Sequence, residues 1–242
     1  VHGPFWPPVD KWGDGSKRRL FLSVLEAMDQ QLGKLFQHVR NDPDLADNTL
    51  ILACSDNGPA QGAGVAGPFR GYKTHLFEGG LRSSLVVWAP KLMNKKVLGT
   101  INKKSVFSAI DLVPTLLEIT KTKLAMDTSF DGESLPNVLL GKSKASRKQD
   151  IFFRRPPDRD SFYGVKDLPD LAVRSGKWKL LCEYDGTDAL LYDMEKDRSE
   201  TNDLSEKHPE VVSRLTKAVI AWHNSMPPDN GPALASKPKK KK

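Results

Sequence analysis

The feature that most constrains this chain is a short apolar run that ends in a cluster of polar residues. Residues 49–54 are apolar or β-branched, which predicts a buried β-strand, because the run is too short for a typical helix. Ser55, Asp56 and Asn57 follow it directly. Polar groups at the end of a buried strand lose hydration unless they find partners, so this cluster raises the hypothesis of a bound ion or ligand.

The chain around this strand has the order of helix and strand that is typical of an α/β fold. Apolar residues recur at helical spacing over 17–39, and a second apolar run, 85–89, predicts another strand. A further helix is predicted over 105–120, with Pro114 marking either its start or a kink. We therefore expect part of a mixed, mostly parallel sheet that is flanked by helices.

The pattern changes after residue 150. Short runs of strand-forming residues are separated by the turn signals Ser175-Gly176 and Asp185-Gly186, which predicts an antiparallel sheet. These runs are 151–153, 171–174, 178–183 and 190–193. A final amphipathic helix over 210–223 has one apolar face, and we expect it to cover that sheet.

These patterns divide the chain into three expected regions. Residues 1–149 form an α/β part, 150–230 a small α+β subdomain, and 231–242 a disordered lysine-rich tail. The tail carries five lysines of a chain whose net charge is +7, which leaves about +2 for the rest. So small a charge argues against a nucleic-acid surface, and we expect no specific nucleic-acid partner. No apolar run approaches the roughly 20 residues of a membrane-spanning helix.

The two cysteines and the residues after the strand suggest different chemistry. Cys54 and Cys182 lie in predicted strands and are expected to be packed thiols rather than a disulfide or a metal pair. Asp56 and Asn57 offer the hard oxygen donors that Ca²⁺ or Mg²⁺ prefers. Together with Gly58, the same pair is more often simply a turn.

A glycine-rich stretch downstream carries further ionisable residues. Lys73 supplies a compact ammonium among glycines that let the backbone approach a ligand, although such a lysine is otherwise a solvated loop residue. Glu78 and Arg82, four residues apart, are expected to form an ion pair. Arg70 is expected to support the loop. His75 is open to two interpretations, a ligand or an exposed side chain.

Three motifs in this segment occur together in a fixed order. They are Ser55-Asp56-Asn57-Gly58, Arg70-Gly71-Tyr72-Lys73 and Glu78-Gly79-Gly80-Leu81-Arg82. In this order they resemble the type I sulfatases, the arylsulfatase branch of the alkaline phosphatase superfamily. The proline-rich start that contains His2, the segment 110–117 and the segment 191–204 are similar to other parts of that family.

The resemblance implies hydrolysis of sulfate monoesters by a formylglycine nucleophile with a divalent cation, Ca²⁺ in preference to Mg²⁺. It implies that Asp56 and Asn57 are ligands of the cation and that Lys73 holds a sulfate oxygen and the bridging oxygen. His2 would contact the sulfate or help to protonate the departing alcohol. A cation, an ammonium and an imidazolium would all stabilise the negative charge that develops when the ester is cleaved.

The family's nucleophile motif, Cys/Ser-X-Pro-X-Arg, does not occur in this sequence, and neither Cys54 nor Cys182 lies in such a context. The family's paired Asp residues and its Lys-X-His pair are also missing. We therefore expect 1–149 to be the C-terminal part of a sulfatase catalytic domain, and the isolated chain to be inactive. The resemblance further implies a sulfated small molecule or carbohydrate as substrate and an exported or lysosomal protein.

Two alternatives remain open from the residues alone. Phosphate and sulfate esters share tetrahedral geometry, so a phosphoester or phosphonate hydrolase of the same superfamily would use similar groups. A non-enzymatic chain, either a truncated remnant or a binding module, is the other alternative. The sequence does not indicate an oligomeric state.

Overall fold

The computed structural model describes residues 4–124, 128–155 and 168–227, which form two compact units. Of these, the first unit contains 4–56, 62–64, 83–124 and 128–149. The second unit contains 57–61, 65–82, 150–155 and 168–227. His2 and the lysine-rich tail lie outside the described residues.

The described elements follow the predicted order closely. The α-helices are α1 (Lys17–Asn41), α2 (Pro43–Asn48), α3 (Glu78–Leu81), α4 (Leu112–Thr120), α5 (Pro136–Leu139) and α6 (Pro209–Ser225). Single 3₁₀ turns occupy Val9–Lys11, Lys95–Val97 and Ala109–Asp111. The strands are β1 (Ile51–Cys54), β2 (Leu85–Trp88), β3 (Ile151–Arg154), β4 (Leu171–Ser175), β5 (Trp178–Cys182) and β6 (Leu190–Asp193).

A side-chain cap marks the start of helix α1 in the first unit, and a change of backbone conformation before a proline marks its end. The Ser16 side chain accepts a hydrogen bond from the Arg19 N–H at 3.2 Å and so caps the first turn. At the other end Asp42 leaves the helical conformation, and Pro43 starts α2. The helix is amphipathic as predicted, yet Leu35 on its apolar side remains 55% exposed.

Strands β1 and β2 of the first unit pair antiparallel, with Ile51 opposite Trp88 and Cys54 opposite Leu85. All strand pairs within the described ranges are antiparallel, whereas we expected a mostly parallel sheet here. The chain between β1 and β2 is long enough for a crossover, but it contains only the single turn α3 and not the helix that usually joins parallel strands. The α/β class itself is confirmed. The prediction of a packed thiol is wrong for Cys54, which is exposed at the end of this two-stranded ribbon.

The helix predicted over 105–120 is shorter than expected and begins at Leu112. Pro114 lies in its first turn, where a backbone N–H has no intrahelical acceptor, so it marks a helix start and not a kink. The preceding Asp111 is buried and accepts hydrogen bonds from the Ser108 N–H at 2.7 Å and from Arg147 at 2.8 Å. This ion pair fixes the start of α4.

The second unit is built on a four-stranded antiparallel sheet in the order β3-β4-β5-β6. Helix α6 covers one face, where Leu215 and Val219 pack in a cluster with Leu180 and Leu191. This arrangement confirms the predicted small antiparallel sheet and its covering helix. Cys182 also lies in that cluster, so its prediction as a packed thiol is confirmed, and burial raises its pKa to about 12.

The opposite face of the sheet is covered by a loop instead of a helix. Leu76 and Phe77 pack there against Ala172, Leu181 and Tyr192. Alternate residues of β4 and β5 therefore contact different layers, as the two-residue period of a strand requires. None of the described helices has the length and apolar character needed to cross a membrane.

Candidate functional site

Backbone hydrogen bonds join the glycine-rich loop to the segment that follows Asn57. The glycine-rich loop is defined as residues 67–82. The Gly58 N–H donates to the Gly80 carbonyl at 2.8 Å, and the Lys73 N–H donates to the Pro59 carbonyl at 3.0 Å. Within the loop, the Gly79 N–H donates to the Arg70 carbonyl at 2.7 Å. The three sequence motifs are thus brought together by main-chain contacts.

Glycine is required at these contacts for steric reasons. A Cβ atom on Gly58 would lie 1.8 Å from the carbonyl oxygen of Gly79, and one on Gly80 would lie 2.1 Å from that of His75. Both distances are far below van der Waals contact with backbone atoms, which cannot swing aside as a side chain can. The glycines therefore allow the two segments to pack backbone to backbone.

Lys73 is half-buried in this loop. Within the part of the chain that the structure describes, its ammonium forms no ion pair or side-chain hydrogen bond, so its charge is available to an anion. The next residue, Thr74, has a φ of 81°, which is strained for a β-branched residue. Such strain persists only where the surroundings enforce it, and it is common at functional sites.

Asp56 is exposed and Asn57 is half-buried, at adjacent positions just after β1. One carboxylate and one amide oxygen are suitable donors for a hard divalent cation. The residues described here contain no group of three or more His, Cys, Asp or Glu side chains that could hold a metal ion. The donor set thus fits part of a coordination shell.

The predicted ion pair between Glu78 and Arg82 is present and extends into a buried ion network, defined as Glu78, Arg82, Lys179 and Glu200. The Glu78 carboxylate lies 2.6 Å from Arg82 Nη2 and 3.0 Å from Lys179 Nζ. Lys179 Nζ also lies 2.7 Å from Glu200 Oε1. The side chains of Lys179 and Glu200 are almost completely buried, so a charge at either position requires its partners.

The two carboxylates of this network differ in their proton affinity. Burial acts to raise the pKa of Glu78, but the adjacent charges of Lys179 and Arg82 outweigh it and hold that pKa below its usual range. For Glu200 burial dominates and raises the pKa in spite of Lys179. The network therefore keeps Glu78 ionised and places the proton, when one is bound, on Glu200.

Arg70 contacts residues that hold the glycine-rich loop in place, which agrees with the expectation that it supports the loop. Its Nη1 donates to the hydroxyl of Tyr192 at 3.0 Å and to the carbonyl of Glu200 at 3.3 Å. Its guanidinium lies 3.9 Å from the centre of the Phe77 ring. These contacts hold the start of the glycine-rich loop on the face of the sheet away from α6.

His75 is buried, which excludes the interpretation of an exposed side chain. Burial lowers its pKa, and the nearby Arg155 and Arg70 charges lower it further, so the imidazole is held in its neutral form. It makes an edge contact with the Tyr72 ring, and a Cβ on Gly71 would lie 2.8 Å from its Nδ1. His75 thus packs within the loop, and its interpretation as a ligand stays a prediction.

Sequence reasoning missed Lys179 and Glu200. A signal for Lys179 existed, because it is the one charged residue of the otherwise apolar strand β5. Glu200 lies in the C-terminal segment 191–204. The resemblance of this segment to the family does not assign a role to Glu200. Both residues contact the glycine-rich loop at a sequence separation of more than a hundred positions. A local residue pattern cannot predict contacts at that separation.

Two family profiles match the chain. The profile described as Sulfatase matches residues 5–122. The profile described as N-sulphoglucosamine sulphohydrolase, C-terminal, matches residues 69–224, which is more than half of the chain. The two matches overlap across the glycine-rich loop.

Individual proteins show the same likeness. The N-acetylgalactosamine-6-O-sulfatase of Bacteroides thetaiotaomicron is 28% identical over 223 residues, which are 80% of this chain and 40% of that protein. The chain spans about two fifths of the length of the first curated relatives that it matches.

Two solved structures share the fold. Ps i-CgsB in complex with k-i-k-neocarrahexaose superposes with a TM-score of 0.75 at 24% identity, covering 91% of this chain and 47% of that one. A protein solved with its substrate D-glucosamine-2-N,6-O-disulfate has a TM-score of 0.58 at 21% identity, covering 85% and 40%. At these identities the likeness concerns the fold alone.

Proposed function

Because the chain belongs to the type I sulfatase family of the alkaline phosphatase superfamily, we propose that it is the C-terminal part of a sulfuric ester hydrolase. The reaction would be hydrolysis of a sulfate monoester, with the nucleophile, a formylglycine, supplied outside the residues of this chain.

The observation that carries this proposal is the backbone contact between the motif segments. The hydrogen bonds from Gly58 to Gly80 and from Lys73 to Pro59 fix the chain next to Asn57 against the chain at Lys73. A cation ligand and an ammonium held in this way suit an anionic ester, because groups that are already oriented need no reorganisation when charge develops.

For the metal, we propose Asp56 and Asn57 as ligands. Their carboxylate and amide oxygens fit a hard cation, and Ca²⁺ is preferred over Mg²⁺ because it accepts more oxygen ligands in less regular geometry. When bound, the cation would neutralise part of the charge on the sulfate oxygens. Further ligands would come from residues beyond those that the structure describes.

For the sulfate group, we propose Lys73 and His2 as the binding and catalytic side chains of this chain. Lys73 would hold a sulfate oxygen and the bridging oxygen, and its ammonium has no competing partner among the described residues. His2 would contact the sulfate and donate a proton to the departing alcohol, which is ordinary general acid chemistry for an imidazolium.

The substrate that we propose is a sulfated carbohydrate. Support comes from the names of the similar proteins, one an N-acetylgalactosamine-6-O-sulfatase and another solved with D-glucosamine-2-N,6-O-disulfate. We also propose that the protein is exported, as the family resemblance implies. The regions 1–149, 150–230 and 231–242 are our proposed domain boundaries. The change of compact unit after Gln149 supports the first of them, whereas residues 57–61 and 65–82 pack in the second unit.

The test uses the intact polypeptide that contains this sequence, assayed with an aryl sulfate and the matching aryl phosphate. Lys73→Ala should lower kcat/KM for the sulfate by about a hundredfold or more, because a charged group that stabilises the transition state is lost. Asp56→Ala should abolish the rise in melting temperature on addition of Ca²⁺. Lys34→Ala, on the exposed side of α1, is the matched control.

Three outcomes would contradict the proposal. Faster cleavage of the phosphate than of the sulfate would favour the phosphoester hydrolase. Cleavage of neither ester, without stabilisation by Ca²⁺, would favour a binding module or inactive remnant. Turnover by the isolated 242-residue chain would show that the active site does not depend on residues outside it.

A further inference from the structure

Two residues of the glycine-rich loop, one on each side of Lys73, bind Glu200 in the second unit. At the start of the loop, Arg70 Nη1 donates to the Glu200 carbonyl at 3.3 Å. Near its end, the Glu78 N–H donates to Glu200 Oε2 at 2.6 Å. Lys73 lies between these two attachment points, so the span that presents it is closed by a single amino acid.

Glu200 is itself held firmly in place. It is buried and has a φ of 54°, in the left-handed region. The turn around it is fixed by Asp197, whose carboxylate accepts hydrogen bonds from the N–H groups of Thr201 and Asn202, both at 2.8 Å. Lys179 in β5 adds the ion pair at 2.7 Å. A residue anchored in this way can orient its partners.

The charges of the buried ion network balance. Glu78 and Glu200 are opposed by Lys179, which is buried, and by Arg82, whose side chain is 36% exposed, so the network has no net charge when all four are ionised. Removal of Lys179 or Glu200 leaves a buried charge without compensation, which is destabilising. The loop supplies two of the four members, Glu78 and Arg82, so this cost falls on the contact between the loop and the rest of the second unit.

We propose that Glu200 is a positioning residue for Lys73: it closes the glycine-rich loop at Arg70 and Glu78 and so sets the backbone from which the ammonium reaches the sulfate. This proposal rests on the proposed function of Lys73. Glu200 would contact neither the sulfate nor the cation. Its effect on catalysis would pass entirely through the loop.

A purely structural role predicts that loss of Glu200 loosens the whole second unit. The contacts predict something narrower. The side chain of Glu200 holds the loop through the Glu78 N–H, whereas the bond from Arg70 goes to the main-chain carbonyl and is kept in Glu200→Ala. The sheet is held by its own ladders and by the α6 cluster. Loss of the side chain should therefore release the loop on the Glu78 side of Lys73 while β4 and β5 stay ordered.

The experiment is hydrogen exchange by mass spectrometry on the intact protein, combined with kcat/KM for an aryl sulfate. Glu200→Ala should accelerate exchange in residues 69–82 by about tenfold or more and leave 171–182 within about twofold. The same variant should lower kcat/KM by about tenfold or more. Glu200→Gln keeps an acceptor for the Glu78 N–H and should recover most of both quantities.

The matched control is Asp193→Asn. Asp193 is also a buried acid, on β6, but its carboxylate pairs with Lys177 at 3.4 Å and accepts a hydrogen bond from the Glu195 N–H at 3.1 Å, and neither residue lies in the loop. This variant should leave exchange in 69–82 unchanged.

The proposal is overturned if Glu200→Ala leaves exchange in 69–82 unchanged, or accelerates 171–182 equally. It is also overturned if Asp193→Asn releases the loop to the same extent, or if Glu200→Gln recovers neither quantity. A protein that hydrolyses no sulfate ester would refute the proposed function, and the exchange measurement would then still decide whether Glu200 closes the loop.

Discussion

The ammonium of Lys179 lies 2.7 Å from a carboxylate oxygen of Glu200, at the buried centre of the second unit. In Lys179→Met, Glu78 would keep Arg82 but Glu200 would lose its only cation in the network. Leaving a buried charge unpaired costs about 3–5 kcal/mol, and we expect the free energy of unfolding to fall by that amount. Urea denaturation followed by circular dichroism measures it.

Lys91→Met is the control for that variant. Lys91 pairs with Asp47 at 3.2 Å and both side chains are exposed, so its removal should cost less than about 1 kcal/mol. Equal losses for the two variants would show that burial of the Lys179 pair does not matter.

A methyl group added at Gly58 should disrupt the motif contact. In Gly58→Ala the new Cβ would lie 1.8 Å from the Gly79 carbonyl oxygen, so the two backbones must separate. We expect a loss of about 1–3 kcal/mol, with a fall in sulfate ester hydrolysis by the intact protein. Differential scanning calorimetry and the aryl sulfate assay give both quantities.

Gly33 offers the opposite case, because a Cβ there would meet nothing within 4 Å. It lies within helix α1, so Gly33→Ala should stabilise the protein by about 0.5–1 kcal/mol through the helix preference of alanine. If Gly58→Ala and Gly33→Ala changed the free energy of unfolding in the same direction, the steric explanation for Gly58 would be wrong.

Stability should depend on pH through Glu183. Burial raises the pKa of this carboxyl to about 7, and its hydrogen bond with Asp170 and the charge of Asp170 act in the same direction. The folded state therefore binds a proton more tightly than the unfolded state, whose pKa is near 4.5. The resulting stability is complete below pH 4.5 and is lost as the pH rises through about 7.

Glu183→Gln should remove this slope. Because solvent screens a half-exposed group, we expect the free energy of unfolding of Glu183→Gln at pH 8 to exceed that of the unsubstituted protein by only on the order of 1 kcal/mol. Melting temperatures between pH 4 and pH 8 measure it, with the exposed Glu206→Gln as control. A slope that persists in Glu183→Gln would assign the pH dependence to other groups.

The two thiols should differ in reactivity. Cys54 is exposed, whereas Cys182 is buried and its pKa is raised to about 12 by burial, so little thiolate forms there. Ellman's reagent should titrate one thiol in the native chain and both in urea. Cys54→Ser should leave no rapidly reacting thiol, and rapid labelling of Cys182 would contradict its packing under α6.

Much of the fold follows from local patterns. The apolar spacing over 17–39 predicts α1, and Pro114 predicts the start of α4, because both depend on neighbours within a few turns. The turn residues Gly176 and Gly186, both with positive φ, likewise locate the hairpins of the antiparallel sheet.

The candidate site could be predicted only in part. The motif residues from Ser55 to Arg82 were identified, but the antiparallel pairing of β1 with β2 was not, since a buried strand has the same pattern in either direction. The role of Glu200 was also missed. Its contact with Glu78 spans 122 positions of sequence and depends on burial, which local residue patterns do not encode.

The loop that covers one face of the second sheet has a consequence for biosynthesis. The motif residues leave the ribosome long before Lys179 and Glu200, the residues on which they pack. At about 5–20 residues per second, the interval from Glu78 to Glu200 lasts roughly 6–24 seconds. Until β4, β5 and β6 have been made, Leu76 and Phe77 have no sheet to cover, and their apolar side chains cannot be buried in the contacts of the folded protein.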